Sequence, residues 1–172
     1  MLVRKVLEQD LRSSARMTGK TGTPLYVLHL VNALKARQQG CSRDIVQIQL
    51  GDFKNYVLGR DPVAEDADEQ LIKLADTTTS LAWQGSISRR HLRLQLRPDG
   101  AWVLEDLDST NGVSVNEQRV KTCVLQVGDV IRIGASGKML AGDSPLVYVF
   151  ESMALLQQRN VSDAVHPIYL IY

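Results

Sequence analysis

The chain has 172 residues, 44% hydrophobic and 23% charged, with a formal net charge of +1. That composition is ordinary for a globular protein with room for one well-buried domain and an extension, or for two very small domains. No apolar run approaches the roughly 20 residues needed to cross a bilayer, and no leader with a cleavage site opens the chain, so a cytoplasmic protein is expected.

Charge is unevenly spread. Residues 1–44 carry eight Lys/Arg against three Asp/Glu, a balance of +5, and the remainder carries twelve against sixteen, a balance of −4. A basic arm of this size suits an acidic partner, or is simply a solvated helix face. Cys41 and Cys123 lie far apart without metal-ligand spacing, which points to two free thiols.

In chain order, Leu2 to about Ala15 carries Val3, Val6, Leu7 and Leu11 at loose helical spacing. After the stretch Met17 to Thr23, Val27, Leu30, Val31 and Leu34 fall on one helical face. Thr23-Pro24 is a suitable helix start and Gly40 a suitable stop, so residues 1–43 are predicted to form a partly flexible helical extension.

Beyond residue 44 the period changes to two. Ile45 to Leu50 alternates towards its end, and Tyr56-Val57-Leu58 is a short strand closed by Gly59-Arg60. Leu92, Leu94 and Leu96 alternate with Arg93, Gln95 and Arg97. Pro98-Asp99-Gly100 then breaks the run before Ala101-Trp102-Val103-Leu104 resumes it, a strong hairpin signal. Val124 to Val127, the turn Gly128-Asp129 and Val130 to Ile133 repeat the pattern, and Leu146 to Phe150 reads as a buried strand. Many short strands with close turns predict an all-β sandwich or barrel. The remainder, 152–172, is a tail beginning with the helix-like Met153, Leu155 and Leu156.

Four clusters stand at strand boundaries in this β region. They are Gly59-Arg60, Ser88-Arg89-Arg90-His91, Asp108-Ser109-Thr110-Asn111-Gly112, and Asn116 followed by Gly128-Asp129-Val130. In this order they resemble the forkhead-associated (FHA) family over roughly Asp44 to Glu151. The resemblance implies a sandwich of two twisted antiparallel sheets whose end loops bind phosphothreonine, with no catalysis and no cofactor.

The physical inventory agrees. Phosphothreonine carries about −1.5 to −2 charges and three strong acceptor oxygens, and Arg60, Ser88, Arg89, Thr110 and Asn111 offer guanidinium, hydroxyl and amide donors. The resemblance assigns Arg60 to the phosphate loop and peptide backbone, Ser88 and Arg89 to direct phosphate contact, and Thr110 and Asn111 to the peptide beside it. It assigns Gly59, His91, Gly112 and Asn116 to structural support. Two departures stand out: the long loop between Arg60 and Ser88, Asp/Glu-rich and then Thr-rich, and Asn116-Glu117 where the family often has Asn-Gly.

Competing chemistry is poorly supplied. Gly19-Lys20-Thr21 lacks the earlier glycine and preceding strand of a P-loop. His29, His91 and His166 lack zinc spacing, and Asp106 and Asp108, read as solvated loop acids, lack a partner base. Trp83, in the long segment, and Trp102 read as packing residues. The expected role is an adaptor that binds a phosphothreonine-containing protein downstream of a Ser/Thr kinase. Neither nucleic acid nor a membrane is the expected partner. Two alternatives remain: a phosphate-independent scaffold on the same fold, and a regulator with a small DNA-binding N-terminal element. Thr18, Thr21 and Thr23 could, by the same resemblance, be phosphorylated and fold back into the chain's own site.

Overall fold

A computed structural model describes residues 25–134 and 146–162. The first strand is β1, Tyr26–Leu30, followed by a six-residue helix α1, Ala33–Gln38, and a 3-10 turn, Arg43–Ile45. β2 (Gln47–Leu50) and β3 (Asn55–Gly59) follow, then β4 (Glu69–Lys73) and helix α2 (Leu81–Ser86). A β region continues with β5 (Leu92–Leu96), β6 (Trp102–Asp106), β7 (Val113–Val115), β8 (Gln118–Val120), β9 (Thr122–Val124) and β10 (Val130–Ile133). β11 (Leu146–Ser152) runs directly into helix α3, Met153–Ser162.

The strands form two sheets. One has six strands in the order β2-β1-β11-β10-β7-β8, the other five in the order β4-β3-β5-β6-β9. The core lies between them. Leu28, Leu30, Ile48, Leu50, Ile131, Ile133, Tyr148 and Phe150 face Tyr56, Leu58, Leu92, Leu94, Trp102 and Leu104, and all are buried. In most of these strands the buried residues alternate, as period-two patterning requires. The Tyr148 hydroxyl, buried with the rest, donates to the Ile45 carbonyl at 2.9 Å.

The hairpin expected around Pro98-Asp99-Gly100 is present, with Leu96 paired to Trp102 and Leu94 to Leu104. Gly100 takes a φ of +85°, where a side chain would be strained.

Three expectations are corrected. The helix read from Thr23-Pro24 to Gly40 exists only over Ala33–Gln38, and Tyr26–Leu30 is a strand inside the six-stranded sheet. It pairs with β11 (Leu28 to Phe150) and with β2 (Leu28 to Ile48), so the sandwich begins before residue 44. The apolar run Leu25 to Val31 fits both periods. The choice fell to the two ladders β1 completes, since a helix there would leave β2 and β11 with unpaired backbone groups.

The segment between Arg60 and Ser88, read as a loop, contains β4, which runs parallel beside β3, and α2, which buries Trp83. Asp106, read as solvated, is buried at the end of β6, where its carboxylate accepts from the Ser109 N–H at 3.2 Å. The proposed Leu2–Ala15 helix, Thr18, Thr21, Thr23, and the chain end after residue 162 lie outside the described residues.

Candidate functional site

Three loops meet at one end of the sandwich, each delivered by a strand. β3 ends at Gly59, and the chain beyond it stays zipped to the segment before β5. The N–H of Arg60 donates to the Ser88 carbonyl at 2.9 Å, that of Asp61 to Arg89 at 3.3 Å, and that of His91 to Leu58 at 2.9 Å. Gly59 permits this approach: a Cβ there would stand 1.9 Å from the Arg89 carbonyl oxygen. The third loop follows β6 and is drawn in by Ser88, whose Oγ accepts from the Thr110 N–H at 3.0 Å. Asn111 donates from Nδ2 to the Ser86 carbonyl at 3.0 Å.

His91 is fully buried beneath these loops. Its Nδ1 accepts from the Ser88 N–H at 2.9 Å, so the proton sits on Nε2, which donates to the Gly112 carbonyl at 3.0 Å. Burial holds its pKa below the ordinary histidine value, and the ring is neutral at pH 7. One side chain thereby ties the Ser88 loop to the Thr110–Gly112 loop. Gly112, at φ +80°, needs the conformational freedom that glycine supplies.

Adjacent arginines divide their work. Arg90 turns towards β4, where it grips Glu69 through two bonds of 2.9 and 3.0 Å, meets Glu65 at 3.2 Å and donates to the Val63 carbonyl. Hydrogen bonding from Arg90 holds the Glu69 carboxyl down at about 2. Arg89 is exposed and has no ion pair among the described residues, and the buried Nε of Arg60 has no hydrogen-bond partner among them. Arg60 and Arg89 line a hollow of about 240 Å³ with Lys73, Asp76, Thr77 and Gln84. Arg89 also borders a second hollow of about 450 Å³ with Asp61, Val63 and Glu65.

Of the nine residues expected in the site, eight gather here. Asn116 stands apart on the β7–β8 turn, where its Oδ1 accepts from the Val130 N–H at 2.9 Å and its Nδ2 donates to Asp129 at 2.8 Å. Asn116 and Glu117 both take positive φ, 51° and 67°, so the turn keeps the left-handed geometry without a glycine. Arg132 holds Glu117 there at 2.9 Å.

Sequence reasoning missed Asp106 and Ser109 as organisers of the third loop. The Ser109 hydroxyl accepts from the Gly112 N–H at 3.0 Å while Asp106 receives the Ser109 N–H. Asp followed three residues later by Ser is a side-chain-to-backbone turn pattern that could have flagged them. No group of three or more His, Cys, Asp or Glu among the described residues could hold a metal ion.

The chain has relatives among known proteins. Residues 56–134 match the family model of the FHA domain. The chain is 38% identical over 94 residues to the FHA domain-containing protein FhaA of Mycobacterium tuberculosis, covering 53% of this chain and 16% of that protein. It is 40% identical over 65 residues to FhaB of the same species, covering 37% of this chain and 41% of that protein. A solved FHA domain from a study of phosphothreonine-dependent interactions aligns over 74% of this chain and 95% of its own, at 24% identity and a TM-score of 0.45. This chain carries an FHA domain. It spans less than half the length of the curated relatives it matches.

Proposed function

We propose that the chain is a non-catalytic binding module that captures phosphothreonine-bearing segments of partner proteins, in the cytoplasm and downstream of a Ser/Thr kinase. FHA domains bind phosphothreonine peptides. The observation that carries the reading for this chain is the pair Arg60 and Arg89, two guanidiniums without ion-pair partners among the described residues that line one hollow, on the two segments joined through the Ser88 carbonyl.

Each group has capacity left for a ligand. Ser88 Oγ accepts from Thr110, which leaves its own hydroxyl hydrogen to donate to a phosphate oxygen. Asn111 spends one amide hydrogen on Ser86, which leaves Oδ1 and the second hydrogen for the main chain of a bound peptide. Arg60 and Arg89 supply the charge, and Thr110 stands exposed beside Ser88. Charge-assisted bonds of this kind contribute about 1.5–3 kcal/mol each.

Binding to an oriented phosphothreonine peptide library tests the reading, with unphosphorylated peptides as controls. Arg60→Ala is expected to weaken binding by about one to two orders of magnitude. A well-folded protein that binds phosphorylated and unphosphorylated peptides alike would sink the reading and leave a phosphate-independent scaffold in its place.

A further inference from the structure

The phosphate rim carries a further cation on a different strand. Arg119 in β8 stands opposite Ser114 in β7, and Ser114 stands opposite Arg132 in β10, so the three share one face of the six-stranded sheet. The neighbouring cations are taken. Arg132 is paired with Glu117 at 2.9 Å, and Lys121 with Asp108 at 2.6 Å. The side chain of Arg119 has no hydrogen bond or ion pair among the described residues.

Its guanidinium nevertheless has a defined place. A Cβ built on Gly112 would meet Arg119 Cζ and Nε at 2.7 Å and Nη2 at 2.8 Å, so the planar group lies over the backbone of that glycine. Gly112 directly follows Thr110 and Asn111. The glycine that admits the tight turn also makes room for the arginine, and an exposed, unpaired cation is held beside the loop that would meet the peptide.

We propose that Arg119 is a specificity-determining residue, selecting phosphothreonine segments with a carboxylate side chain within about three residues of the phosphothreonine. This deepens the reading of the site given above and rests on it. The distance follows from chain geometry. Thr110 and Gly112 are two residues apart, at most about 7 Å, and a bound extended peptide advances about 3.3 Å per residue. A carboxylate suits the planar fork of a guanidinium, which can donate two parallel hydrogen bonds to it. A basic flanking residue would be repelled.

The test measures affinities of the full chain and its Arg119→Ala and Arg119→Glu variants for phosphothreonine peptides with all-alanine flanks. Matching peptides carry a single Glu or Lys at each of three positions on either side. Each affinity is divided by that of the same protein for the all-alanine peptide, which removes any change in overall stability. The unaltered chain is expected to favour Glu at one of these positions by about 1.5- to fivefold, the range for an exposed ion pair. Arg119→Ala should level that preference and Arg119→Glu should turn it towards Lys. Retention of the Glu preference by Arg119→Glu overturns the proposal, as does equal binding of Glu and Ala peptides by the unaltered chain. Absence of any phosphate-dependent binding by the unaltered chain would instead bring down the functional reading itself.

Discussion

Ser88 is where the most links converge. Its carbonyl holds Arg60, its N–H is held by His91 and its hydroxyl holds Thr110. Ser88→Ala keeps the first two and loses the third along with the proposed phosphate donor. A peptide affinity about tenfold lower is expected, with a loss of about 1 kcal/mol in stability, read by calorimetry and urea unfolding. His91 gives a pH dependence of definite sign. Burial holds its folded pKa below the ordinary value of 6.5, so protons favour the unfolded chain. The stability it contributes is complete above about pH 6.5 and declines as pH falls below that value. Urea midpoints measured between pH 7.5 and 5 should fall for the unaltered chain and flatten in His91→Gln. A midpoint that stayed level in the unaltered chain would count against a buried neutral ring.

Among the elements, the β3–β5 pairing sets the spacing of the site, and at Gly59 the two segments leave no room for a side chain. A methyl group at 1.9 Å from the Arg89 carbonyl cannot be accommodated without parting the two segments. Gly59→Ala should therefore cost about 1–3 kcal/mol and weaken phosphopeptide binding together with stability, since Arg60 and Arg89 move apart. β4 is fastened to the same sheet by Glu69, whose side chain is 1% exposed and meets both Arg90 and Arg93. Its carboxyl is lowered from 4.5 to about 2, first by the Arg90 hydrogen bond. The stability from this contact is present above about pH 4.5 and is lost as pH falls towards 2. Glu69→Gln should remove that acid-sensitive component from denaturation curves and lower stability at pH 7. The hairpin of β5 and β6 was legible in the sequence because alternating leucines and an Asp-Gly turn are both local signals. β4 was not, because its parallel pairing with β3 spans Asn55 to Glu69 and leaves no alternation in Glu69–Lys73, where four of five residues are half-buried.

For the whole molecule, the decisive feature is the place of β1 between β2 and β11. A chain beginning at Asp44 would lose Leu28 and Leu30, each 1% exposed, and two backbone ladders. At about 1.5–3 kcal/mol for each large buried apolar side chain, that loss is comparable with the 5–15 kcal/mol that holds a typical domain folded. Such a chain should show no cooperative thermal transition, whereas one beginning at Leu25 keeps both ladders and should melt cooperatively.

The sequence alone determined the all-β class and the order along the chain of the residues proposed to meet phosphate. Those depend on local period, turn residues and side-chain chemistry, which are written in neighbouring positions. Only the tertiary structure decided that Tyr26–Leu30 is a strand, that Arg90 serves β4 while Arg89 stays exposed, and that Arg119 lies over Gly112. Each of these rests on a partner distant in the chain: a ladder to β11, a carboxylate on Glu69, a glycine in the loop after β6. An apolar run or an arginine has several acceptable fates by itself, and it is the long-range partner that selects among them.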